Sequence, residues 1–307
     1  MNRVSTANSY SSVLTHLMRA QVEQDSANTQ VSSQKNAFDL KGYAKQAETL
    51  LATRSIQTKV DSYIEQGKTL VSKLQSQELA LTQTADAADG ARQAIAEALA
   101  TNRGESLMEE LSSWFSSATD SLNAKFGGRY LFSGGQVDTK ATTATSLSDL
   151  TAAAMTADLF KNDGLKPANQ LDESTTIESG FLADQLGTPL YEAFKQVQTY
   201  VEANGDFTGQ LTPAQATFLQ GVMGSFESAR SGLTDAAARN GLIQNRVDKT
   251  LETQDNRAAM LEGMVGKITD ADMPLAITRL EQAGVALQAS AQVFNTLSQT
   301  SLLDLLR

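Results

Sequence analysis

Apolar residues recur at three- and four-residue steps over most of this chain, the spacing of helices with one buried face. The places where that rhythm fails divide the sequence. Over residues 8–35, Val13, Leu17, Ala20, Ala27 and Val31 mark one helical face, interrupted by Gln24. Ser, Thr, Asn and Gln fill most other positions there. Intrinsic propensity is therefore low, and such a helix depends on a partner surface. After a break at Lys35–Gly42 the pattern strengthens over 45–101. Val60, Ile64, Gly67, Val71, Leu74, Leu81, Ala85, Ala88, Ile95 and Leu99 share a face, with Glu78 and Arg92 the charged positions in that register. Asn102-Arg103-Gly104 reads as a helix stop. A further helix is expected from Glu105, with Leu107, Leu111, Trp114, Ala118 and Leu122 on its inner face.

The helical rhythm ends at Phe126-Gly127-Gly128, and Arg129–Gly135 reads as a short β-prone run between glycines. From Gln136 to Thr188, Thr, Ser, Ala, Asp and Gly dominate. That stretch predicts short strands and a short helix within Leu147–Phe160. A helix is expected over 189–204, opening at Pro189 as its first residue and closing at Asn204-Gly205. Thr212-Pro213 opens the next. Its face carries Leu219, Val222, Phe226, Ala229, Leu233, Ala236, Ile243, Val247, Leu261, Val265 and Ile268, with Asn240, Thr250 and Gln254 as polar intrusions. Thr269–Pro274 is a break in which Asp270 or Asp272 is a candidate cap. The last helix, about 274–303, keeps Ile277, Leu280, Gly284, Leu287, Ala291, Phe294, Ser298, Ser301 and Leu305 on one face. Ser301–Arg307 is unusually apolar for a chain end, which points to a docking site.

Together these elements predict a mainly α protein. Its N- and C-terminal segments (1–126 and 189–307) form a long antiparallel helical bundle or coiled coil. A small α/β or β-rich middle domain (127–188) is inserted between them. The two terminal stripes exceed what one chain's bundle needs, and predict helix-to-helix assembly between subunits. The expected interface on the first helix is Val13, Leu17, Ala20 and Val31. On the last it is Ile277, Leu280, Leu287, Phe294 and Leu297, continuing through Leu302, Leu303, Leu305 and Leu306.

Composition narrows the function. Of 307 residues, 41% are hydrophobic but only 6% aromatic, and four are proline. That mix suits long Ala/Leu-seamed helices. Lys and Arg number 25 against 35 Asp and Glu, a net charge of -10. Such a balance argues against a nucleic-acid partner. Cysteine is absent, which excludes disulfides and thiolate chemistry. No apolar run approaches membrane-spanning length. The N-terminus lacks the apolar centre of a cleaved signal, so the chain stays inside the cell or leaves by a route that reads an uncleaved polar N-terminus. The single histidine, His16, has neither the company for a metal site nor an orienting partner for catalysis. Gly127-Gly128 and Gly134-Gly135 suit turns rather than a phosphate loop. Trp114, Phe115 and Phe126 read as core. No catalytic, cofactor or metal constellation emerges, and the chain reads as a non-enzyme.

The C-terminal run carries a resemblance. Ile268-Thr269-Asp270-Ala271-Asp272, then Ala276, Leu280 and Gln282, then Ala286-Leu287-Gln288-Ala289-Ser290 and Ser301-Leu302-Leu303-Asp304-Leu305-Leu306, is similar to the terminal helix of the flagellin-like family of bacterial flagellar axial proteins. Arg239–Val247, Arg3-Val4-Ser5-Thr6 and Val31-Ser32-Ser33 add to it. Gly128-Arg129-Tyr130-Leu131-Phe132-Ser133-Gly134 with Asp138-Thr139 resembles the hook-associated members that sit between hook and filament. Where the family continues its Ser-Ser-Gly into a basic residue and Asp-Asp-Pro, this chain has Gln34-Lys35-Asn36-Ala37. The resemblance implies a structural subunit, exported without a cleaved signal peptide and residing in the extracellular flagellum. Its implied partners are copies of itself, a neighbouring hook-associated protein, flagellin and an export chaperone. The alternatives are a filament flagellin and a secreted helical adhesin or effector.

Overall fold

A computed structural model describes residues 2–305, with side chains from Ser11 to Thr296. Among these residues it contains helices α1 (Asn2–Ser33), α2 (Ala47–Thr101), α3 (Leu107–Leu122), α4 (Leu147–Ala152), α5 (Ala183–Asn204), α6 (Pro213–Thr269) and α7 (Met273–Leu305). Strands β1 (Lys125–Phe126) and β2 (Arg129–Tyr130) form one antiparallel hairpin, and β3 (Ala168–Gln170) and β4 (Thr176–Glu178) another. The fold is mainly α.

Helix ends follow the local chemistry. Asn102 stops α2 in the left-handed region at φ 54°, a conformation Asn tolerates. Gly205 closes α5 at φ 85°, its N–H donating to the Val201 carbonyl at 2.8 Å. At the head of α6 the Thr212 hydroxyl accepts the Gln215 N–H (3.3 Å), and the Thr212 N–H donates to Gln215 Oε1 (2.9 Å), a reciprocal cap. Gly127 and Gly128, at φ 56° and 82°, make the two-residue turn of the β1–β2 hairpin.

The chain divides into two compact units, one holding residues up to Lys59 and from Arg257 on, the other Val60–Asn256. This division differs from the expected cuts at 126 and 188. The middle segment belongs to the same core as its flanking helices, because Leu131, Phe132, Leu147, Leu150 and Phe160 are buried in one apolar cluster with Ile95, Leu111 and Phe226.

Within the Val60–Asn256 unit, an aromatic chain organises that cluster. Phe115 lies 5.1 Å from Tyr191 and 5.4 Å from Phe194, ring centroid to centroid, and Phe194 lies 4.9 Å from Phe226. The Tyr191 hydroxyl shares a buried 2.9 Å hydrogen bond with Thr119. Burial raises the Tyr191 pKa above its ordinary value.

Three local expectations are corrected here. Phe115, not Trp114, faces the core of α3, while Trp114 is partly exposed and lies flat over Gly90, where a Cβ would meet its ring. Helix α5 begins six residues before Pro189, so the proline lies inside it. The extra turns gain an Ala183 N–H bond to the Phe132 carbonyl (3.0 Å) and the burial of Leu186, which offsets the lost helix donor. The β-prone run is shorter than expected. Only Arg129 and Tyr130 pair; Leu131 and Phe132 leave the ladder for the core, and the Ser133 hydroxyl bonds the Thr139 carbonyl at 2.7 Å.

Candidate assembly surface

In the unit that carries both chain ends, α1 packs along α7. The breaks next to these helices are paired as an antiparallel bridge between Lys35 and Asp270. The Asn36 N–H donates to the Thr269 carbonyl (2.7 Å), and the Ala271 N–H donates to the Gln34 carbonyl (2.9 Å). Asn36 Nδ2 donates to the Asp270 carbonyl at 2.8 Å, and Lys35 Nζ reaches Asp270 Oδ1 at 2.5 Å. The hydrogen bond from Lys35, with a second from Thr269, holds the Asp270 carboxyl below its ordinary pKa. The two candidate caps have separate tasks: Asp270 makes this bridge, and Asp272 Oδ1 accepts the Leu275 N–H at 3.2 Å at the start of α7. Gln34 sits at φ 58°, a left-handed position in which the family-like Gly would be unstrained.

The helices meet along an inner row. Ala20 and Ala27 of α1 and Ala276 and Ala283 of α7 are buried; these small side chains let the backbones approach closely. Val13, Leu17, Val31, Leu280, Leu287 and Phe294 are half-buried along this row. The terminal stripes are therefore partly completed inside the chain, where other subunits alone were expected to complete them. Ile277, 45% exposed, lies outside the seam, since Ala276 takes the inward position. The side chains of Leu297, Leu302, Leu303 and Leu305, and all of Leu306, lie outside the described residues.

A second, outer row is what the single-stripe reading missed. Leu14, Met18 and Val22 repeat at four-residue steps on α1, and Val22 is 66% exposed. On α7, Leu275, Val285 and Val293 are open, Val285 at 67%. The signal was present as a second 3-4 series beside the first, masked by the abundance of Ala. Charge around it is sparse. Residues 11–33 carry only Arg19, Glu23 and Asp25 as formal charges, and residues 273–296 only Arg279 and Glu281. An apolar row with few charges has the composition of the centre of a protein interface.

His16 is exposed on α1. Among the described residues no group of three His, Asp or Glu side chains is placed to hold a metal ion. No described helix is long and apolar enough to cross a membrane.

The family profile for the bacterial flagellin C-terminal helical region matches residues 223–306. No curated protein is significantly similar to the sequence. Among solved structures, one described as a flagellar hook-associated protein of Vibrio parahaemolyticus aligns with a TM-score of 0.60 at 16% identity, covering 73% of this chain and 97% of that one. Bacillus cereus FlgL aligns with a TM-score of 0.54 at 14% identity, covering 71% of this chain and 99% of that one. The chain is flagellin-like in its C-terminal helical region, and its fold is like that of these two structures.

Proposed function

We propose that this protein is a structural subunit of the bacterial flagellum, built into the junction between hook and filament and catalysing no reaction. The observation that carries the reading is the outer apolar row of α1 and α7, left open after the two helices have packed on each other. Burying it releases apolar surface from water at about 25 cal/mol per Å², and other axial subunits offer the matching helical stripes. Val13, Leu17, Leu280, Leu287 and Phe294, half-exposed at the edge of the seam, extend that surface. Ala20 and Val31 back it and Ile277 adds to its exposed face; the sequence pattern alone adds Leu297, Leu302, Leu303, Leu305 and Leu306 to the proposed interface. Likeness in fold to a structure described as a flagellar hook-associated protein and to FlgL supports a flagellar structural role.

In this reading the neighbours are further copies of the chain, a hook-associated protein and flagellin. An export chaperone covers the apolar rows before assembly. The chain leaves the cell through the flagellar export channel. In this reading the unit that holds both chain ends carries assembly.

Tagged protein imaged on intact cells tests the position. One short zone at the base of each filament is the expected result; labelling along the filament would identify a flagellin instead. Deleting residues 280–307 is expected to release the subunit into the medium and abolish filament attachment. Normal motility with lost adhesion would favour an adhesin or effector.

A further inference from the structure

Away from the terminal helices, one cation of the Val60–Asn256 unit is left without a counter-charge. Ser62, Glu65, Gln66, Thr69 and Lys73 share one face of α2, and with Asn169 of β3 they line an open groove of about 380 Å³. The β3–β4 hairpin folds back onto α2 there, burying Leu171 and Ile177 in one cluster with Leu70 and Leu74. Lys73 lies between these two leucines in sequence and is half-buried. Burial lowers its pKa below the ordinary lysine value. The other groups at the groove are already matched. Glu65 pairs with Lys68 at 3.0 Å, and Glu178 of β4 pairs with Lys166 at 3.7 Å. The Gln66 amide donates to the Ser62 hydroxyl (3.2 Å), the Thr69 hydroxyl to the Glu65 carbonyl (3.0 Å) and Asn169 Nδ2 to the Ser179 hydroxyl (2.8 Å). Among the described residues the Lys73 ammonium has neither a hydrogen bond nor an ion pair. A charge withdrawn from water without a partner costs stability, which an apolar side chain at the same place would not.

We propose that Lys73 is a contact between copies of this chain, its ammonium receiving an Asp or Glu carboxylate of a neighbouring copy seated in the groove between α2 and β3. Charge identifies the partner. The chain holds 35 Asp and Glu against 25 Lys and Arg, so a second copy brings carboxylates in excess of the cations it can offer them. Closing the groove removes water from the pair and strengthens it, and a half-buried cation rejects any neighbour that presents a like charge. The contact belongs to the unit that does not hold the chain ends and adds to the outer row of α1 and α7. It rests on the assembly reading for the presence of a neighbouring copy.

Sheared flagella treated with a carbodiimide test it, because the reagent condenses an amine with a touching carboxyl to an amide, with loss of water. The expected product is a dimer of the chain in which Lys73 is joined to an Asp or Glu of the second copy. Lys73→Met is expected to lower the share of the chain found in flagella about tenfold or more, while the urea midpoint of the monomer stays equal or rises. Lys73→Arg keeps the charge and is expected to keep incorporation, but to lose the link, since a guanidinium does not condense. Lys73 left unlinked, linked within its own chain or linked to another protein overturns the proposal. Normal incorporation of Lys73→Met overturns it too, as does a lower urea midpoint, which would give the ammonium a role inside the monomer. Wild-type chain absent from the flagella would sink the assembly reading and this contact with it; wild-type chain present without the link would sink this contact alone.

Discussion

Asn240 Nδ2 donates to the main-chain carbonyl of Leu74 at 2.8 Å, joining α6 to α2 across 166 residues of sequence. Both helices are polar at this layer. Gln77 is fully buried one turn on from Leu74, and neither atom of its amide has a hydrogen-bond partner; Asn240 Oδ1 also has none. The layer separates the apolar cluster of Leu70, Leu74 and Val247 from the larger one that begins at Ala80 and ends at Ala236.

A buried polar atom without a partner costs roughly 1–3 kcal/mol. Gln77→Leu removes two such atoms with little change in volume. It is expected to raise unfolding stability by about 1–2 kcal/mol on that scale, read as a higher urea midpoint. Asn240→Leu gives up a made bond along with an unmade one, so its effect is expected to be smaller. Destabilisation by Gln77→Leu would contradict the unpaired assignment.

Helix α6 is built with glycines it does not need for packing. At Gly221, Gly224, Gly232, Gly241 and Gly263 an added Cβ meets nothing within 4 Å. Alanine at each is expected to stabilise by about 0.5–1 kcal/mol, because Gly loses more backbone freedom on folding. Gly187→Ala is the opposite case. Its Cβ would stand 2.7 Å from Phe160 Cζ and 2.9 Å from Leu122 Cδ1, and a loss of about 1–3 kcal/mol is expected from overpacking. Thermal unfolding of the single variants checks both signs.

Acid weakens the middle segment in a defined direction. The Thr145 N–H, with the Thr145 hydroxyl and the Ser146 N–H, holds the Asp149 carboxyl below its ordinary pKa; the Gly135 and Leu165 N–H groups do the same for Asp163. A carboxylate with a lowered folded pKa contributes stability above its unfolded pKa, near 3.9. That contribution is lost as pH falls through the folded value. Stability is therefore expected to fall below about pH 4, and Asp149→Asn with Asp163→Asn to flatten that limb. An acid limb unchanged in the double variant would contradict these assignments.

Much of this architecture was legible in the sequence. The 3-4 rows of α2 and α6 mark buried positions from Val60 to Leu261, since a helix exposes its period directly. Thr212, Asn102 and Gly205 mark their helix ends through side-chain and backbone chemistry confined to a few residues. The misses need long-range information. Trp114 and Phe115 are adjacent, and only Gly90 on another helix leaves room for the indole. Pro189 reads locally as a helix start, while the turns before it are held by Phe132, more than fifty residues upstream. On the terminal helices, Ala-rich rows overlap, so one period hides two faces; the helix that closes one of them lies at the other end of the sequence.

The central claim is that the outer row of α1 and α7 is covered by other subunits. Val22→Asp and Val285→Asp place charge on that row at positions two-thirds exposed in the monomer, so each is expected to shift monomer stability by no more than about 0.5 kcal/mol. Leu287→Asp and Phe294→Asp, at the half-buried seam, are expected to weaken α1–α7 pairing as well. The direct measurement is the share of each tagged, secreted variant found in sheared flagella against the medium. The account predicts Val22→Asp and Val285→Asp as folded monomer in the medium with the flagella depleted of it; incorporation of both at the wild-type level would contradict it.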